Sequence, residues 1–441
     1  MGDNSWEDRI SIRRVGTDAM TYGVGVVIRR LASFVMLPIY TRLLTPADYG
    51  LLELLSLSVE VVTILVSAGT TAGILRFFYK TDDEEERHRL MGSAFMLLGL
   101  LNALGAGILM ALAGPIHRIV LGGQGEMWFI YIVAASFMLS PATEIPNSYM
   151  RAIRTPKRYV ITNASILILQ LSLNILFVVI LRFGVLGVLL STFLTAVASG
   201  SVLATWLFSR IGFSVSRSAL KDLRRFAVPY QFTTAGGFVL VYGDRFFLQG
   251  FQGTEAVGIY SLAYKLGVLS FTLFAKPFIS AWSPQRFEIA ELPAEERDLR
   301  YNQGFRVLNV ILIPGAVALA VGSGPLLRIM SDPSFLPAAS VTPVVVLAYV
   351  VQAWTLVSRF GIDASERTVY QTYSVWTSVI VMLICYSTLI PLFGVMGAAV
   401  ATLIGFLVRF GMTYRFAQRL WPIELAWRRH VFTLAGGILV A

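Results

Sequence analysis

The chain of 441 residues is short of the side chains that most chemistry needs. It has one cysteine and three histidines, and Asp, Glu, Lys and Arg together make up only 14% of it, against about 25% in an ordinary soluble domain. Each shortage excludes something. Cys385 alone rules out a disulfide or a thiolate metal cluster within the chain. His88, His117 and His430 are scattered over three polar connections, so no histidine cluster is available for a metal or for base catalysis. The glycine-rich "GGQG" at 122–125 lacks the Lys and flanking strand of a phosphate loop and reads as a turn. No catalytic constellation emerges, and no cofactor is implied.

What the chain has in abundance is apolar length, with AVILMFWYC residues reaching 56%. Runs of about 20 residues recur, each long enough as a helix to cross a hydrocarbon core roughly 30 Å thick. Barrel strands would alternate in polarity, whereas "ILILQLSLNILFVVIL" is almost continuously apolar. The expectation is an all-α polytopic membrane protein with twelve spans, at 20–41, 50–75, 90–114, 127–150, 159–181, 184–209, 226–249, 256–283, 303–324, 337–358, 369–390 and 394–414. The connections "QGTE" (252–255) and "PLFG" (391–394) are tight turns, and "FEIAELPAEERDLRYNQGF" (287–305) reads as a short helix on the membrane surface. A last apolar run from Val431 to Ala441 is too short to cross, so 426–441 reads as the start of a truncated helix.

Basic residues orient the spans. Of 36 Lys and Arg, 25 fall in the N-terminus and alternate connections, 4 in the other connections and 7 within spans. By the positive-inside rule the N-terminus is cytoplasmic. The clusters "RAIRTPKR" (151–158), "SRSALKDLRR" (216–225) and "AWRRH" (426–430) all border spans on that one side, which argues against nucleic acid as the partner. The acidic "TDDEEERHR" (81–89) reads as a solvated loop.

The informative residues are charges inside the spans, since an ionised side chain there is costly and faces a partner or a cavity. Arg29 and Arg30 sit roughly 15 Å from either end of span one, too deep to reach the interface easily. Glu60 lies at similar depth in span two, so a packing pair between Arg30 and Glu60 is one reading. Asp244 and Arg245 occupy span seven; Lys265 and Lys276 occupy span eight, eleven residues or about three turns apart, and so share a helix face. Glu144 stands between Pro141 and Pro146, where a kink is expected. The net positive sign suits an anionic solute such as a phosphate, which Arg grips with a planar fork and Lys with a point charge. The cavity cations are therefore Arg29, Arg30, Arg245, Lys265 and Lys276, with Glu60, Asp244 and Glu144 as candidates for charge pairing or for coupling to H+ or Na+.

A weak internal repeat joins "TPADYGLLELLSL" (45–57) to "TEAVGIYSLAYKL" (254–266). Both follow an Arg-bearing span, with an acidic residue and a Gly opening the next helix. This points to parallel repeats, a lobe at 1–210 and a second at 211–425, each a six-helix bundle, about a central V-shaped cavity.

With "TYGVGVVIRRLASFVMLPIYTRLLTPADYGLLELL" (21–55), "RFFYK" (76–80), "YGDRFFLQGFQGTEAVGIYSLAYKLG" (242–267) and "SAWSPQRFE" (280–288), the chain resembles the Wzx-like oligosaccharide-lipid flippases of the multidrug/oligosaccharidyl-lipid/polysaccharide (MOP) exporter superfamily. The resemblance implies a MATE-like fold in the bacterial or archaeal inner membrane and no enzyme activity. It implies flipping of a polyprenyl-diphosphate-linked oligosaccharide, a polysaccharide precursor, to the outer leaflet by alternating access. The implied partners are that lipid-linked substrate, membrane lipid and polysaccharide polymerase or assembly proteins. Family members carry a basic residue where Arg30 stands and an Asp-Arg pair where Asp244 and Arg245 stand, while Arg29 is an extra charge. They often have fourteen helices, which fits truncation at Ala441. A peptidoglycan-precursor flippase, a drug/cation antiporter and a membrane polymerase or ligase are the alternatives; enzymes of the last kind resemble each other in having a large outer loop, and this chain has none.

Overall fold

The computed structural model describes residues 36–423. Among these the chain is helical and contains no strand. After a helix ending at residue 43 come α1 (Pro46–Val66), α2 (Thr70–Phe78), α3 (Glu84–Ala111), α4 (Trp128–Leu139), α5 (Pro141–Ala152), α6 (Pro156–Asn174) and α7 (Gly184–Ile211). They are followed by α8 (Arg217–Ser270), α9 (Lys276–Ala290), α10 (Ala294–Met330), α11 (Ala338–Ser358), α12 (Phe360–Ala364) and α13 (Val369–Leu420). Among the described residues nine helical segments are long and apolar enough to cross a membrane. Two of them turn back on themselves at non-helical glycines, Gly253 and Gly394, inside the two connections that read as tight turns. The described residues thus hold eleven spans, the second to twelfth expected from the sequence, and the protein is a multi-pass membrane protein.

Three departures have local causes. The second span is not one helix, because Gly69 takes a φ of 90° between α1 and α2. A Cβ there would stand 2.9 Å from the Cβ of Tyr230, so both conformation and space demand glycine. The stretch 287–305 is not a separate surface helix. α9 runs on to Ala290, Pro293 breaks the chain, and 294–305 is the opening of the continuous 37-residue α10. A π-helical turn, Phe271–Ala275, interrupts span eight. A wider turn advances each residue through a smaller angle, so Lys276 is displaced from the face that a regular helix would share with Lys265. Near Glu144, where a kink is expected, the helix is interrupted at Ser140, between α4 and α5, with Pro141 starting α5 and Pro146 inside it.

Packing divides the chain into two compact units. One holds Leu55–Ile119, Gly123–Ala235 and the described part of Met1–Leu44; the other holds Thr45–Leu54, Val120–Gly122 and the described part of Gly236–Ala441. In the first, Ile74, Phe78, Met91, Ile145, Tyr149 and Leu207 form a core. Helix ends there leave carbonyls without intrahelical partners, and side chains supply them. Tyr79 Oη donates to Ala152 O at 2.7 Å, and Arg87 Nε to Phe78 O at 3.2 Å. The acidic run at 81–89 is a helix start: Asp83 caps α3 by accepting from the Glu85 N–H at 3.1 Å. Three glutamates then occupy the first turn, where the helix dipole favours negative charge. In the second unit the core gathers Trp282, Tyr301, Phe305, Leu308, Trp354 and Phe360, and the buried Trp354 indole donates to Asn309 Oδ1 at 2.7 Å.

Candidate binding site within the membrane

The site starts from a helix crossing in the second unit. A Cβ on Gly50 would lie 2.0 Å from Thr254 O, and one on Gly258 would lie 1.9 Å from Pro46 O. Each glycine therefore packs on the carbonyl four residues before the other. Without a strong hydrophobic drive between helices in lipid, such close backbone approach is how membrane helices associate. The two segments are the two copies of the internal repeat, meeting in a reciprocal contact.

That crossing places the charges. Tyr49 precedes Gly50, Glu53 follows it by about a turn, and Lys265 lies two turns beyond Gly258, so it leaves its helix on the crossing face. Lys265 Nζ donates to Tyr49 Oη at 2.6 Å and lies 4.5 Å from the centre of the Tyr49 ring. Its distance to Glu53 Oε2 is 3.7 Å. The ring of Tyr49 is held edge-on by the buried Phe335 at 5.8 Å. The Lys265 side chain is 48% exposed and that of Glu53 17%.

Asp244 and Arg245 stand differently. Both are buried, and Arg245 Nη1 donates to Asp244 Oδ1 at 2.5 Å and to Val241 O at 2.7 Å. Asp244 Oδ2 accepts from Tyr260 Oη at 2.6 Å and from Thr402 Oγ1 at 3.3 Å. The guanidinium lies over Tyr264 at 3.8 Å and Tyr260 at 5.0 Å. A charge pair this enclosed needs such hydrogen bonds to offset its desolvation, and it ties both arms of α8 to α13. The remaining charges are dispersed: Lys276 and Glu60 are exposed, and exposed Glu144 accepts from Thr71 Oγ1 at 3.4 Å. Arg29 and Arg30 lie outside the described residues. No group of three or more His, Cys, Asp or Glu side chains able to hold a metal occurs among the described residues.

Sequence reasoning missed Glu53, whose signal was a carboxylate one turn into an apolar span. It also missed Arg286 and Arg409. Arg409 Nη1 donates to Gln352 Oε1 at 3.2 Å, and Arg286 is buried against the end of α11. "SAWSPQRFE" contained that signal as a cation at the end of an apolar run.

Comparisons with known proteins follow the same lines. The fold matches an inward-facing multidrug resistance MATE family transporter of the MOP superfamily, with TM-score 0.72, 17% identity and coverage of 88% of this chain and 94% of that one. It matches the lipid II flippase MurJ in an inward closed conformation, with TM-score 0.75, 11% identity and coverage of 95% and 91%. It also matches a MOP superfamily transporter from Pyrococcus furiosus, described as having reverse polarity of its binding pocket, with TM-score 0.59, 15% identity and coverage of 92% and 95%. At these identities the likeness establishes the fold. No curated protein matches the sequence. The sequence itself matches the family described as "Polysaccharide biosynthesis protein" over residues 15–289, more than half of its length, and the chain belongs to that family.

Proposed function

We propose that this protein is a transporter that moves a polyprenyl-diphosphate-linked oligosaccharide from the cytoplasmic to the outer leaflet of the inner membrane, with its N-terminus in the cytoplasm. Lys265 carries the reading: a lysine within a membrane span, its ammonium hydrogen-bonded to Tyr49 and its side chain half exposed, in a chain of the polysaccharide biosynthesis family. A diphosphate offers charged oxygens to which an ammonium can donate strong hydrogen bonds. Arg30, with Arg29 and Lys276 in support, is the further cation we propose for the substrate's negative charge, while the lipid tail stays in the bilayer. Arg245 acts indirectly in this conformation, since Asp244 already neutralises it. The matching positions of Gly50 and Gly258 in the two segments suit parallel repeats related by an axis along the membrane normal, the arrangement from which rocking alternating access is built. The two lobes are the repeats themselves. Coupling to H+ or Na+ falls to Glu60 or Glu144 rather than to Asp244, which is buried against Arg245.

The likeness to a lipid II flippase supports a lipid-linked diphosphate as the substrate class. The likeness to a multidrug transporter supports the second reading, a drug/cation antiporter, but the excess of basic over acidic side chains within the spans favours the anion. The test is export in cells lacking their own flippase, scored as surface polysaccharide alongside protein abundance. Lys265→Gln and Arg30→Ala should abolish export at near-normal abundance. Full export by both variants would overturn the anion site.

A further inference from the structure

We infer that the first unit carries a binding site for an anionic phospholipid, in which Arg158 and Arg210, gathered on Trp206, hold the headgroup phosphate while the exposed apolar face of α6 and α7 takes the acyl chains. The site goes beyond the proposed transport, because this lipid is a resident of the bilayer and not the cargo. Arg158 stands in the first turn of α6 and Arg210 in the last turn of α7, so the two meet at one end of neighbouring helices. The Arg158 guanidinium lies 5.1 Å from the centre of the Trp206 ring, and that of Arg210 lies 5.6 Å from it. Trp206 is set in turn by its neighbours. Its ring lies 6.0 Å from that of the buried Tyr149, and it packs on the cluster of Met150, Tyr159 and Leu203. One fixed ring thus gathers two positive charges by cation–π attraction.

Like charges brought together repel, and an anion between them relieves the repulsion. Neither arginine has a carboxylate within 4.0 Å among the described residues. Glu84 is near enough for its charge, like that of Arg210, to act on Tyr149, but it pairs with neither arginine. Both arginine residues are exposed, as is the adjacent Lys157. The surface one turn deeper identifies the anion. On α6 the exposed Ile161, Ile168 and Ile175 recur every seven residues, about two turns, and so share a face. On α7 Val202, one turn from Trp206, is exposed as well. In a membrane span such a face meets acyl chains, and Trp belongs at the level of the headgroups. A phosphate that guanidinium forks can grip, joined to chains that cover this apolar face, is an anionic phospholipid. Basic clusters bordering spans on one side of the membrane recruit that class of lipid.

The experiment titrates the purified full-length protein in detergent with phosphatidylglycerol or with phosphatidylcholine of the same chains, and measures the bound lipid by native mass spectrometry. The parent should prefer phosphatidylglycerol about twentyfold. Arg158→Gln and Arg210→Gln should each cut that preference about fivefold, the worth of one basic residue at an anionic surface, and together they should erase it. Arg158→Lys with Arg210→Lys keeps the charge and loses the planar fork, so it should cut the preference only about twofold; this pair serves if a Gln variant fails to fold. Lys221→Gln with Arg225→Gln removes two exposed charges from the same basic side and should change nothing. A parent without the preference, variants at 158 and 210 that all retain it, or an equal loss in the control pair overturns the site. Displacement of the lipid by inorganic phosphate at equal concentration would make the occupant a soluble anion. Losses confined to a polyprenyl diphosphate probe would place these arginines on the path of the substrate. Either result overturns the resident lipid.

Discussion

Gly50 and Gly258 are mutual contacts: a Cβ on either would fall 3.1 Å or less from the backbone nitrogen of the other. Alanine at either position must push the two helix starts apart. Gly50→Ala and Gly258→Ala should each lower stability in detergent by about 1–3 kcal/mol, the usual range for overpacking. Gly237→Ala is the control, because it meets nothing within 4 Å inside a helix and should be neutral or stabilising. Thermal unfolding of the three variants decides it, and equal behaviour of Gly50→Ala and Gly237→Ala would refute the crossing.

The Asp244–Arg245 pair is buried on both sides. Removing one partner strands the other, so Asp244→Asn should cost about 3–5 kcal/mol, while Asp244→Leu combined with Arg245→Met should recover most of it. Tyr260→Phe, which removes a hydrogen bond to the carboxylate, should cost about 1.5–3 kcal/mol. Unfolding midpoints and membrane abundance report the outcome. A single Asn variant as stable as its parent would show that the pair does not hold α8 to α13.

Arg286 sits at the C-terminal end of α11 with no carboxylate within 4.0 Å among the described residues. Its Nη1 reaches Leu356 O at 3.5 Å, its Nη2 donates to Ser283 Oγ at 3.1 Å, and its guanidinium lies 5.4 Å from the Phe360 ring centre. Tyr301 Oη meets the next carbonyl, Val357 O, at 2.8 Å. The negative end of the helix dipole thus supplies the compensation. Arg286→Gln should cost about 1–2 kcal/mol by losing that charge, and Arg286→Lys less. Hydrogen exchange should rise first in residues 352–358, and exchange that rises uniformly would speak against a local role.

Orientation is checked with cysteines introduced one at a time in a Cys385→Ala background. Ser218→Cys lies on the strongly basic side and Gln124→Cys in the exposed turn on the other. An impermeant maleimide applied to intact cells should label position 124 and spare 218. The opposite pattern would reverse the proposed direction of transport.

Asp332 supplies a pH dependence outside the spans. Ser334 donates its backbone N–H and its hydroxyl to Asp332 Oδ1 at 3.0 and 2.7 Å, and these bonds hold the carboxyl below its usual range. A carboxyl lowered in the folded state stabilises fully above its unfolded value, about 3.9, and loses that contribution as pH falls through the folded value. Asp332→Asn should therefore unfold slightly earlier than the parent at neutral pH, with the gap closing as the solution is acidified below about pH 4. A gap that widened on acidification would contradict the sign. The turn it caps seats Phe335 against Tyr49.

The sequence by itself determined the membrane spans, because a bilayer requires about 20 apolar residues in each and permits little polar interruption. It marked the turns at Gly253 and Gly394 and the family to which the chain belongs. It also exposed Asp244, Arg245 and Lys265, since charge is conspicuous in an apolar run. What those charges touch was decided only by tertiary structure. Tyr49 and Lys265 are 216 residues apart, and Asp244 and Thr402 are 158 apart; no local period connects them. Glu53 looked like one more helix residue until the crossing of Gly50 and Gly258 brought it to Lys265. Arg245 reads in sequence like any intramembrane cation, and only its enclosure by Asp244, Tyr260 and Tyr264 separates it from the half-exposed Lys265. The π-helical turn at Phe271–Ala275 likewise leaves no mark in composition, because it changes the angle between successive side chains and not their kind.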